Sequence, residues 1–439
     1  MSVAASMGGF PEWLPEGQLA YEHILASLRE SFSLCGFTPL ETRSVETLDT
    51  LLQKGETDKE IYTLRRLHAS DEDPEGGLGL HFDLTVPFAR YVRENAGKLT
   101  FPFRRYQIQK AWRGERPQEG RYREFLQADV DVVARGELPA HFEYELPLVA
   151  AEALGRLPIP PVTVRVNNRK LMEGFFRGLG LGDVALDALR AVDRLPRLGP
   201  EAVRTELLAG GASSDQASAC LALAAIRGNE GGVGAAVSAL GVDDDLLRDG
   251  LAELEAVLEA GRRFAPGRLV ADLSIARGLD YYTGTVYETF MQGFESLGSI
   301  CSGGRYDDLV GGGAEPYPGV GLSIGVTRIL GPLLSRGRLR ASRISPSCVL
   351  VAVVDEEHRI ESDAVAAALR RRSIAAEVSP DAAKYGRQIR YAERRGIPFV
   401  WFPDAGEVRD IRTGEQTRAE AESWDPPAGD LAVSVDEIG

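Results

Sequence analysis

The chain has 439 residues, with 50 lysines and arginines against 65 aspartates and glutamates, and its formal net charge is −15. This length suggests two or three domains, and 44% hydrophobic with 26% charged residues excludes a disordered or fibrous chain. No apolar run approaches the roughly 18 residues of a membrane helix, and the first lysine or arginine is Arg29. We therefore expect a cytoplasmic chain with no secretory or transit segment and no membrane contact.

The cysteines and histidines are scattered, without CxxC, HExxH or zinc-ligand spacing. Neither a disulfide framework nor a metal site held by the protein alone is expected. The acidity argues against indiscriminate nucleic-acid binding, although one local basic patch would suffice for a specific RNA partner.

The first predicted element is a helix from Ala20 to Phe32, because its apolar residues have helical spacing. Beyond it the chain reads as strands and hairpins to about residue 165. From about 175 to 265 the sequence is rich in Ala, Leu and Gly, and the leucines at 247, 251, 254 and 258 follow a helical rhythm. This texture predicts an inserted helical module.

Residues 80–87 alternate apolar and polar side chains, which predicts a strand with His81, Asp83 and Thr85 on one face. Pro87 then suits the first turn of a following helix. Taken alone, this stretch is better explained as an ordinary half-exposed strand without a function.

A hairpin is predicted from residue 105 to residue 133, with a polar loop at 114–120 between its strands. Alternation on the returning strand aligns Arg121, Arg123, Phe125, Gln127, Asp129 and Asp131 on one face. Arginines favour phosphate oxygens, an aromatic ring can stack on a base, and a carboxylate can accept from an ammonium or imidazole N–H. The face fits a substrate with a nucleotide at one end and a cationic amino acid at the other, although a solvated hairpin with salt bridges is the alternative.

Two glycine-rich blocks follow the helical module. Residues 276–288 combine glycines with paired tyrosines, and residues 318–325 predict a strand with Gly321, Ser323 and Gly325 on one face, leading into a helix that carries Arg328. Neither GxGxxG nor GxxxxGK[ST] occurs, so a Rossmann dinucleotide site and a P-loop are not supported.

The C-terminal segment from residue 346 alternates strand (349–354), helix (362–372), strand (375–378), helix (384–395) and strand (399–402), which is an α/β pattern. Its second helix is predicted to carry five cations on a solvent side: Lys384, Arg387, Arg390, Arg394 and Arg395. This face is either simply solvated or a contact for an RNA backbone.

Together these blocks resemble the histidyl-tRNA synthetases, a family of class II aminoacyl-tRNA synthetases, over essentially the whole chain. Residues 113–125 resemble class II motif 2, residues 277–282 resemble the family's histidine-binding signature, and residues 319–328 resemble motif 3. The helix from Ala20 with residues 36–39 resembles motif 1. Two residues depart from the family pattern: Ser44 replaces a common proline, and His81 replaces a more usual arginine.

The resemblance implies an α+β fold. We expect a class II catalytic core at 1–334, built on a six-stranded antiparallel sheet flanked by helices, with the helical insertion at about 175–265. A C-terminal α/β anticodon-binding domain is expected at 346–439. The family pairs as a homodimer, and we expect the same of this chain.

The resemblance also assigns the site. Histidine binding falls to Asp83, Leu84, Thr85, Arg113, Gln127, Asp131, Arg277, Tyr281 and Tyr282. ATP binding falls to Arg113, Glu115, Arg121, Phe125 and Arg328, and the catalytic cations are Arg113 and Arg277. Candidate tRNA contacts are Arg116, Gln118, Arg123, Lys384, Arg387 and Arg390.

The implied activity is the ATP- and Mg²⁺-dependent conversion of L-histidine to histidyl-adenylate, followed by transfer to the 3′ end of tRNA(His). The rival interpretation is a regulatory paralogue of ATP phosphoribosyltransferase that binds histidine as a signal. Such paralogues generally lack the anticodon domain and lose phosphate-binding arginines, whereas this chain keeps Arg113, Arg277 and Arg328.

Overall fold

We describe the chain from a computed structural model. The structure describes residues 7–52, 60–68, 77–228, 232–276, 278, 281–308, 310 and 315–438. Packing divides the chain into two compact units, one made of Met1–Pro11 with Ser27–Pro332 and the other of Glu12–Ala26 with Leu333–Gly439. Within the described ranges, no helix is long and apolar enough to cross a membrane.

The secondary structure of the described residues runs from a long N-terminal helix to a short C-terminal strand. The α-helices are α1 (Pro15–Leu34), α2 (Leu48–Leu51), α3 (Thr85–Asn95), α4 (Phe142–Gly155), α5 (Arg169–Gly178), α6 (Ala185–Asp193), α7 (Leu195–Leu198), α8 (Pro200–Ala209), α9 (Ser214–Ala224), α10 (Gly232–Ser238), α11 (Asp245–Phe264), α12 (Val326–Ser335), α13 (Arg359–Arg371) and α14 (Tyr385–Arg395). Short 3-10 helices lie at Gly182–Val184, Glu295–Leu297 and Ala428–Asp430. The strands are β1 (Thr38–Pro39), β2 (Val45–Thr47), β3 (Thr63–Leu64), β4 (Leu78–Leu80), β5 (Phe103–Trp112), β6 (Glu124–Val133), β7 (Val162–Asn168), β8 (Arg227–Gly228), β9 (Leu269–Asp272), β10 (Thr285–Met291), β11 (Cys301–Tyr306), β12 (Gly319–Gly325), β13 (Leu339–Ala341), β14 (Val349–Val351), β15 (Ala376–Val378), β16 (Phe399–Phe402), β17 (Glu407–Asp410), β18 (Gln416–Arg418) and β19 (Val435–Glu437).

The first unit is built on a nine-stranded sheet with the order β1-β5-β6-β12-β11-β10-β7-β9-β8. Within the six strands from β5 to β7 in this order, every adjacent pair is antiparallel, so the predicted six-stranded antiparallel sheet is confirmed. Parallel pairs β1–β5 and β7–β9 extend it at both sides. Strands β1 and β8 have two residues each, which is too short for a periodicity in sequence to reveal.

The predicted hairpin is formed by β5 and β6. Its register pairs Arg105 with Asp131 and Gln109 with Gln127, so these four side chains share one face of the sheet. The returning strand was predicted to begin at Arg121 but begins at Glu124. Arg121 instead closes a tight loop, because its N–H donates to the carbonyl of Gln118 at 2.8 Å.

The predicted strand across residues 80–85 is wrong. Strand β4 ends at Leu80 and helix α3 begins at Thr85. His81 and Phe82 are both buried, which a half-exposed strand would not allow. Asp83 Oδ1 accepts from the Val86 N–H at 3.0 Å, so a side chain caps the start of α3.

Helix α4 replaces the strands and hairpins expected for its segment. Its apolar side chains are buried on most sides of the helix, so an amphipathic period is absent from the sequence. Pro147 lies within the helix, and proline inside a helical pattern argues against a helix when only the sequence is considered.

The described residues between 169 and 264 include helices α5 to α11, with β8 between α9 and α10. Helices α5 and α11 pack with their backbones in direct approach. A Cβ added at Gly174 would lie 2.1 Å from the Leu247 nitrogen, and one added at Gly250 would lie 2.1 Å from the Leu171 nitrogen. Glycine at both positions therefore permits a closeness that any side chain would prevent.

The second unit contains a five-stranded sheet with the order β15-β14-β16-β17-β18. The predicted α/β alternation is confirmed: β14, α13, β15, α14 and β16 all occur within a few residues of their predicted bounds. Apolar clusters cover both faces of the sheet, one around Trp401 and Leu369 and the other around Val400 and Leu350. The antiparallel strands β17 and β18 and the pair β13–β19 were not predicted.

The basic helix α14 exposes Lys384 at its start and Arg387, Arg390 and Arg394 along its length. Arg395 was also predicted on the solvent side, but it is partly buried. Its Nε lies 3.2 Å from a carboxylate oxygen of Glu377 on β15, so it belongs to the packing of the unit rather than to the exposed face.

Candidate active site

An open cavity of about 210 Å³ lies over the central strands of the nine-stranded sheet. Strands β6, β11 and β12 form its floor, because their alternation turns every second side chain towards it. The wall is completed by residues around the start of α3, the loop between β5 and β6, the tyrosines before β10, the residues before β11 and the start of α12. Predicted site residues that line it are Asp83, Thr85, Arg113, Glu115, Arg121, Phe125, Gln127, Asp131, Tyr281, Tyr282 and Arg328.

One end of the cavity is rich in arginine. Arg113 donates from Nε to the Phe82 carbonyl at 3.0 Å, and its guanidinium carbon lies 5.1 Å from the centre of the Phe125 ring. Arg121 lies 3.6 Å from a carboxylate oxygen of Glu115. Planar guanidinium groups in this arrangement can bind phosphate oxygens with paired donors.

Arg328 reaches the same end from helix α12, and its Nη2 donates to the Leu297 carbonyl. Gly325 lies one turn before it, where an added Cβ would lie 3.2 Å from the Arg328 Cβ. The glycine therefore leaves room for the arginine side chain against the cavity floor.

The other end is rich in carboxylates. Asp131 is buried, with one oxygen 2.6 Å from Nη2 of Arg105 and the other accepting from the Tyr306 hydroxyl at 2.8 Å. Arg105 is fully buried and its guanidinium lies 4.1 Å from the centre of the Phe88 ring. Asp131 therefore faces the cavity and is bound to a neighbouring cation of the sheet at the same time.

Tyr281 and Tyr282 border the carboxylate end, with ring centres 4.1 Å apart. Burial, followed by the charge and hydrogen bond of Tyr281, raises the pKa of Tyr282 well above its usual value, so its hydroxyl stays protonated. The ring packs over glycine: a Cβ added at Gly304 would lie 2.8 Å from it.

Asp129 was placed on the predicted face without a role, and it lines the cavity between Gln127 and Asp131. Burial is the main cause that raises the pKa of its carboxyl to about 7, and the charge of Asp131 adds to the shift, whereas Arg105 opposes it. Sequence alternation was the signal for this residue. Nothing in the sequence marked Arg105, which is identified by its register opposite Asp131.

Two assigned residues stand apart. Leu84 is fully buried and does not line the cavity. Arg277 lies outside the described residues. The two departures from the family pattern do not line the cavity either. His81 is buried, with Nε2 2.7 Å from the Lys110 carbonyl, and Ser44 Oγ accepts from the Gln109 amide at 3.0 Å.

The candidate tRNA residues are divided between the two units. Arg116 and Gln118 are exposed in the loop between β5 and β6, and Arg123 donates from Nε to the Glu115 carbonyl at 3.2 Å. None of these three lines the cavity. Lys384, Arg387 and Arg390 are exposed residues of the second unit.

Comparison with known proteins decides the family. The family model described as histidyl-tRNA synthetase matches residues 9–329, and an anticodon binding domain model matches residues 348–424. The chain belongs to the histidyl-tRNA synthetases. This confirms the predicted family and its separate C-terminal anticodon-binding domain.

Curated relatives agree with this membership of the histidyl-tRNA synthetases. The chain is 55% identical to a histidine–tRNA ligase of Cutibacterium acnes and 56% identical to one of Micrococcus luteus, in each case with 99% of both chains covered. The crystal structure of histidyl-tRNA synthetase from Nostoc sp. PCC 7120 superposes with a TM-score of 0.86 at 33% identity, covering 96% of this chain and 98% of that one. These relatives do not favour the regulatory paralogue.

Proposed function

We propose that this chain activates histidine with ATP and transfers it to tRNA, as a histidine–tRNA ligase. One observation carries the proposal: a single cavity has guanidinium groups at one end and buried carboxylates at the other, in a chain of the histidyl-tRNA synthetase family. The guanidinium groups complement the anionic phosphates of ATP, and the carboxylates complement the cationic groups of histidine. The two substrates would meet in the middle of the cavity.

Histidine would occupy the carboxylate end. Asp83, Thr85 and Gln127 would bind its α-amino group, whereas Asp131, Tyr281 and Tyr282 would surround the imidazole ring. Their shared lining of one cavity supports this assignment. A buried carboxylate that accepts an imidazole N–H fixes the ring's tautomer and penalises apolar amino acids, which would leave it unpaired.

ATP would occupy the arginine end. Arg113 would bind the α-phosphate, Arg121 and Arg328 the outer phosphates, and Phe125 the adenine ring. Arg277 would lie between the histidine carboxylate and the α-phosphate, where a cation counters charge that grows in the transition state.

The residues present fit Mg²⁺ that arrives with ATP. This ion is usually held by one or two carboxylates together with substrate phosphates, not by a cage of protein ligands. Glu115 lines the cavity beside Arg121 and can supply such an oxygen, and the described residues contain no group of three metal-ligating side chains. When bound, the ion would neutralise phosphate charge at this end.

Two steps complete the reaction. A carboxylate oxygen of histidine attacks the ATP α-phosphorus, forming histidyl-adenylate as pyrophosphate leaves. The terminal ribose hydroxyl of the tRNA then attacks the histidyl carbonyl, AMP leaves, and a phosphate oxygen of the adenylate can accept the hydroxyl proton. Positioning and cationic stabilisation supply the acceleration, so no nucleophilic side chain is required.

The tRNA would bind through two surfaces. Arg116, Gln118 and Arg123 would contact it near the cavity, and Lys384, Arg387 and Arg390 of α14 would contact its backbone. We further propose that the protein works in the cytoplasm as a homodimer, as the family resemblance implies.

Pyrophosphate exchange tests the proposal. The chain should exchange labelled pyrophosphate into ATP when histidine is present, and not with any of the other standard amino acids. Exchange that depends on a different amino acid, or no exchange with any, would refute it.

A further inference from the structure

A short hydrogen-bonded chain joins two strands under the middle of the cavity. The side-chain amide of Gln127 on β6 donates to the Ser323 hydroxyl oxygen on β12 at 2.8 Å. Ser323 lies opposite Asp129 in the register of these strands, and its hydroxyl is hydrogen-bonded to the Asp129 carboxylate. Because that hydroxyl accepts from Gln127, its own proton is directed to Asp129.

This arrangement leaves two buried acceptors. Gln127 Oε1 and Asp129 Oδ1 have no hydrogen-bond partner among the described residues, although their side chains are only 9% and 2% exposed. Both residues line the cavity. Buried acceptors without donors are costly, so two of them side by side in a cavity indicate a ligand that supplies N–H groups.

An ammonium group matches this requirement, since it carries a positive charge and three donors. We infer that Asp129 is a further substrate-binding residue of the histidine pocket, where its carboxylate and the Gln127 amide oxygen bind the α-ammonium group of histidine. The inference rests on the proposed function. It adds a carboxylate that the family resemblance did not assign. It also gives a role to the Ser323 hydroxyl, whose hydrogen bonds to the Gln127 amide nitrogen and the Asp129 carboxylate leave one oxygen of each side chain available to the ligand.

The charges around Asp129 set the protonation state of its carboxyl, and hence its ability to bind an ammonium group. Arg105 on β5 favours the ionised carboxylate of Asp129, whereas Asp131, which lies on β6 with Asp129, and Asp83 before α3 disfavour it. Cys301 on β11 stays neutral, because burial raises the pKa of its thiol to about 12.

Burial holds the Asp129 pKa at about 7, and an arriving ammonium group would lower that pKa. Histidine binding near neutral pH should therefore release a proton from Asp129. The affinity contributed by this residue should rise from about pH 6 to about pH 8, as the carboxylate ionises in the free protein.

Binding of three ligands to the full-length chain tests the inference by calorimetry. Histidine and histidinol carry the ammonium group, whereas 3-(imidazol-4-yl)propionate lacks it. Asp129→Asn should weaken histidine and histidinol by roughly 10- to 100-fold, the range for a hydrogen bond to a charged group, and should leave the propionate nearly unchanged. Equal effects on all three ligands, or on none, would overturn the inference.

The number of protons released on histidine binding provides a second readout. This number would not change if Asp129 had a purely structural role. Titrations in buffers of different ionisation enthalpy should show fewer protons released by Asp129→Asn than by the unaltered protein at pH 7. The imidazole of histidine titrates in both proteins, so their difference isolates Asp129, and identical release would contradict the inference.

Asp272→Asn is the matched control. Asp272 is another buried carboxylate of the same sheet, paired with Arg165 and Arg227 and absent from the cavity lining, so its variant should keep the affinities. If the unaltered protein fails to bind histidine, the proposed function itself is refuted. That outcome differs from a failure of the inference about Asp129 alone, in which the unaltered protein binds histidine normally.

Discussion

The buried guanidinium group of Arg105 stabilises the ionised carboxylates at one end of the cavity. Arg105 has no exposed surface, and it is held by Asp131 on one side and by the Phe88 ring on the other. Its charge also favours the ionised form of Asp129. Truncating one partner of such a buried pair is strongly destabilising, because the other charge remains without compensation.

Asp131→Asn should therefore have two effects. Unfolding should become easier by about 3–5 kcal/mol, because Arg105 loses its counter-charge. Histidine should lose about 10- to 100-fold in kcat/KM relative to ring-modified analogues if the carboxylate reads the imidazole. Denaturant unfolding and steady-state pyrophosphate exchange measure the two effects separately. If the folded variant still prefers histidine to ring-modified analogues to the same degree, Asp131 serves only as the counter-charge of Arg105 in the sheet.

His81 makes stability depend on pH. Burial lowers its pKa from the usual 6.5, against the opposing effect of the hydrogen bond to the Lys110 carbonyl. The neutral ring therefore stabilises the fold fully above about pH 6.5, and this contribution is lost as pH falls below that value, because the unfolded chain takes up the proton first.

His81→Gln, which cannot titrate, should lose less unfolding free energy than the unaltered protein between pH 7.5 and pH 5.5. Urea unfolding at several pH values measures this slope. Parallel pH dependences for the two proteins would show that His81 does not carry the effect.

At the scale of elements, the local signals in sequence are strong where a strand has one polar face and weak where an element is buried all round. The face of β6 is recognisable because Gln127, Asp129 and Asp131 alternate with apolar residues. Helix α4 escapes prediction for the opposite reason, since it presents almost no polar side. The turn from β4 into α3 resembles a strand in sequence because His81 is a polar residue in the core.

Long-range pairing explains the rest of what sequence could not supply. The partnership of Arg105 with Asp131 depends on hairpin register, and that of Gln127 with Ser323 joins residues 196 positions apart. Neither contact leaves a local pattern. The family resemblance assigned eleven of the 23 residues that line the cavity. It assigned no role to Asp129, because the importance of that residue arises from which acceptors remain unpaired.

The close packing of α5 against α11 predicts a clear effect at Gly250. Gly250→Ala would place a methyl group within van der Waals overlap of the Leu171 backbone and should destabilise the protein by about 1–3 kcal/mol. Gly232→Ala in α10 is the control, because nothing lies within 4 Å of its added Cβ. Thermal unfolding should separate the two variants. Equal midpoints would mean that the helices can move apart at little cost.

Exposed arginines of helix α14 are proposed to contact the tRNA backbone. Replacing Arg387 and Arg390 with glutamate should weaken tRNA binding and flatten its salt dependence by roughly two units of slope, one for each lost phosphate contact. Pyrophosphate exchange should not change, because neither residue lines the cavity.

The control for this double variant replaces Arg371 and Arg418 with glutamate. Both are exposed, and they lie on α13 and β18, so the control changes the net charge equally without touching α14. If both double variants weaken tRNA equally, the effect comes from overall charge and α14 is not the contact.

At the scale of the whole molecule, the chain joins a cavity suited to amino-acid activation to a separate unit that matches an anticodon binding domain. We expect activation to need the cavity, and selection of one tRNA to need the unit that matches an anticodon binding domain. The strong net negative charge of −15 makes indiscriminate RNA binding unfavourable, so local basic surfaces such as α14 would have to supply the attraction.

Charging of tRNA tests the central claim most directly, since under the proposed function it would need the cavity and the anticodon-binding unit to act on the same tRNA. The full-length chain, supplied with ATP, labelled histidine and a mixture of tRNAs, should attach histidine to tRNA(His) and form one AMP for each histidine attached. Histidine-dependent pyrophosphate exchange without any transfer to tRNA, or transfer of histidine to all tRNAs alike, would contradict the account.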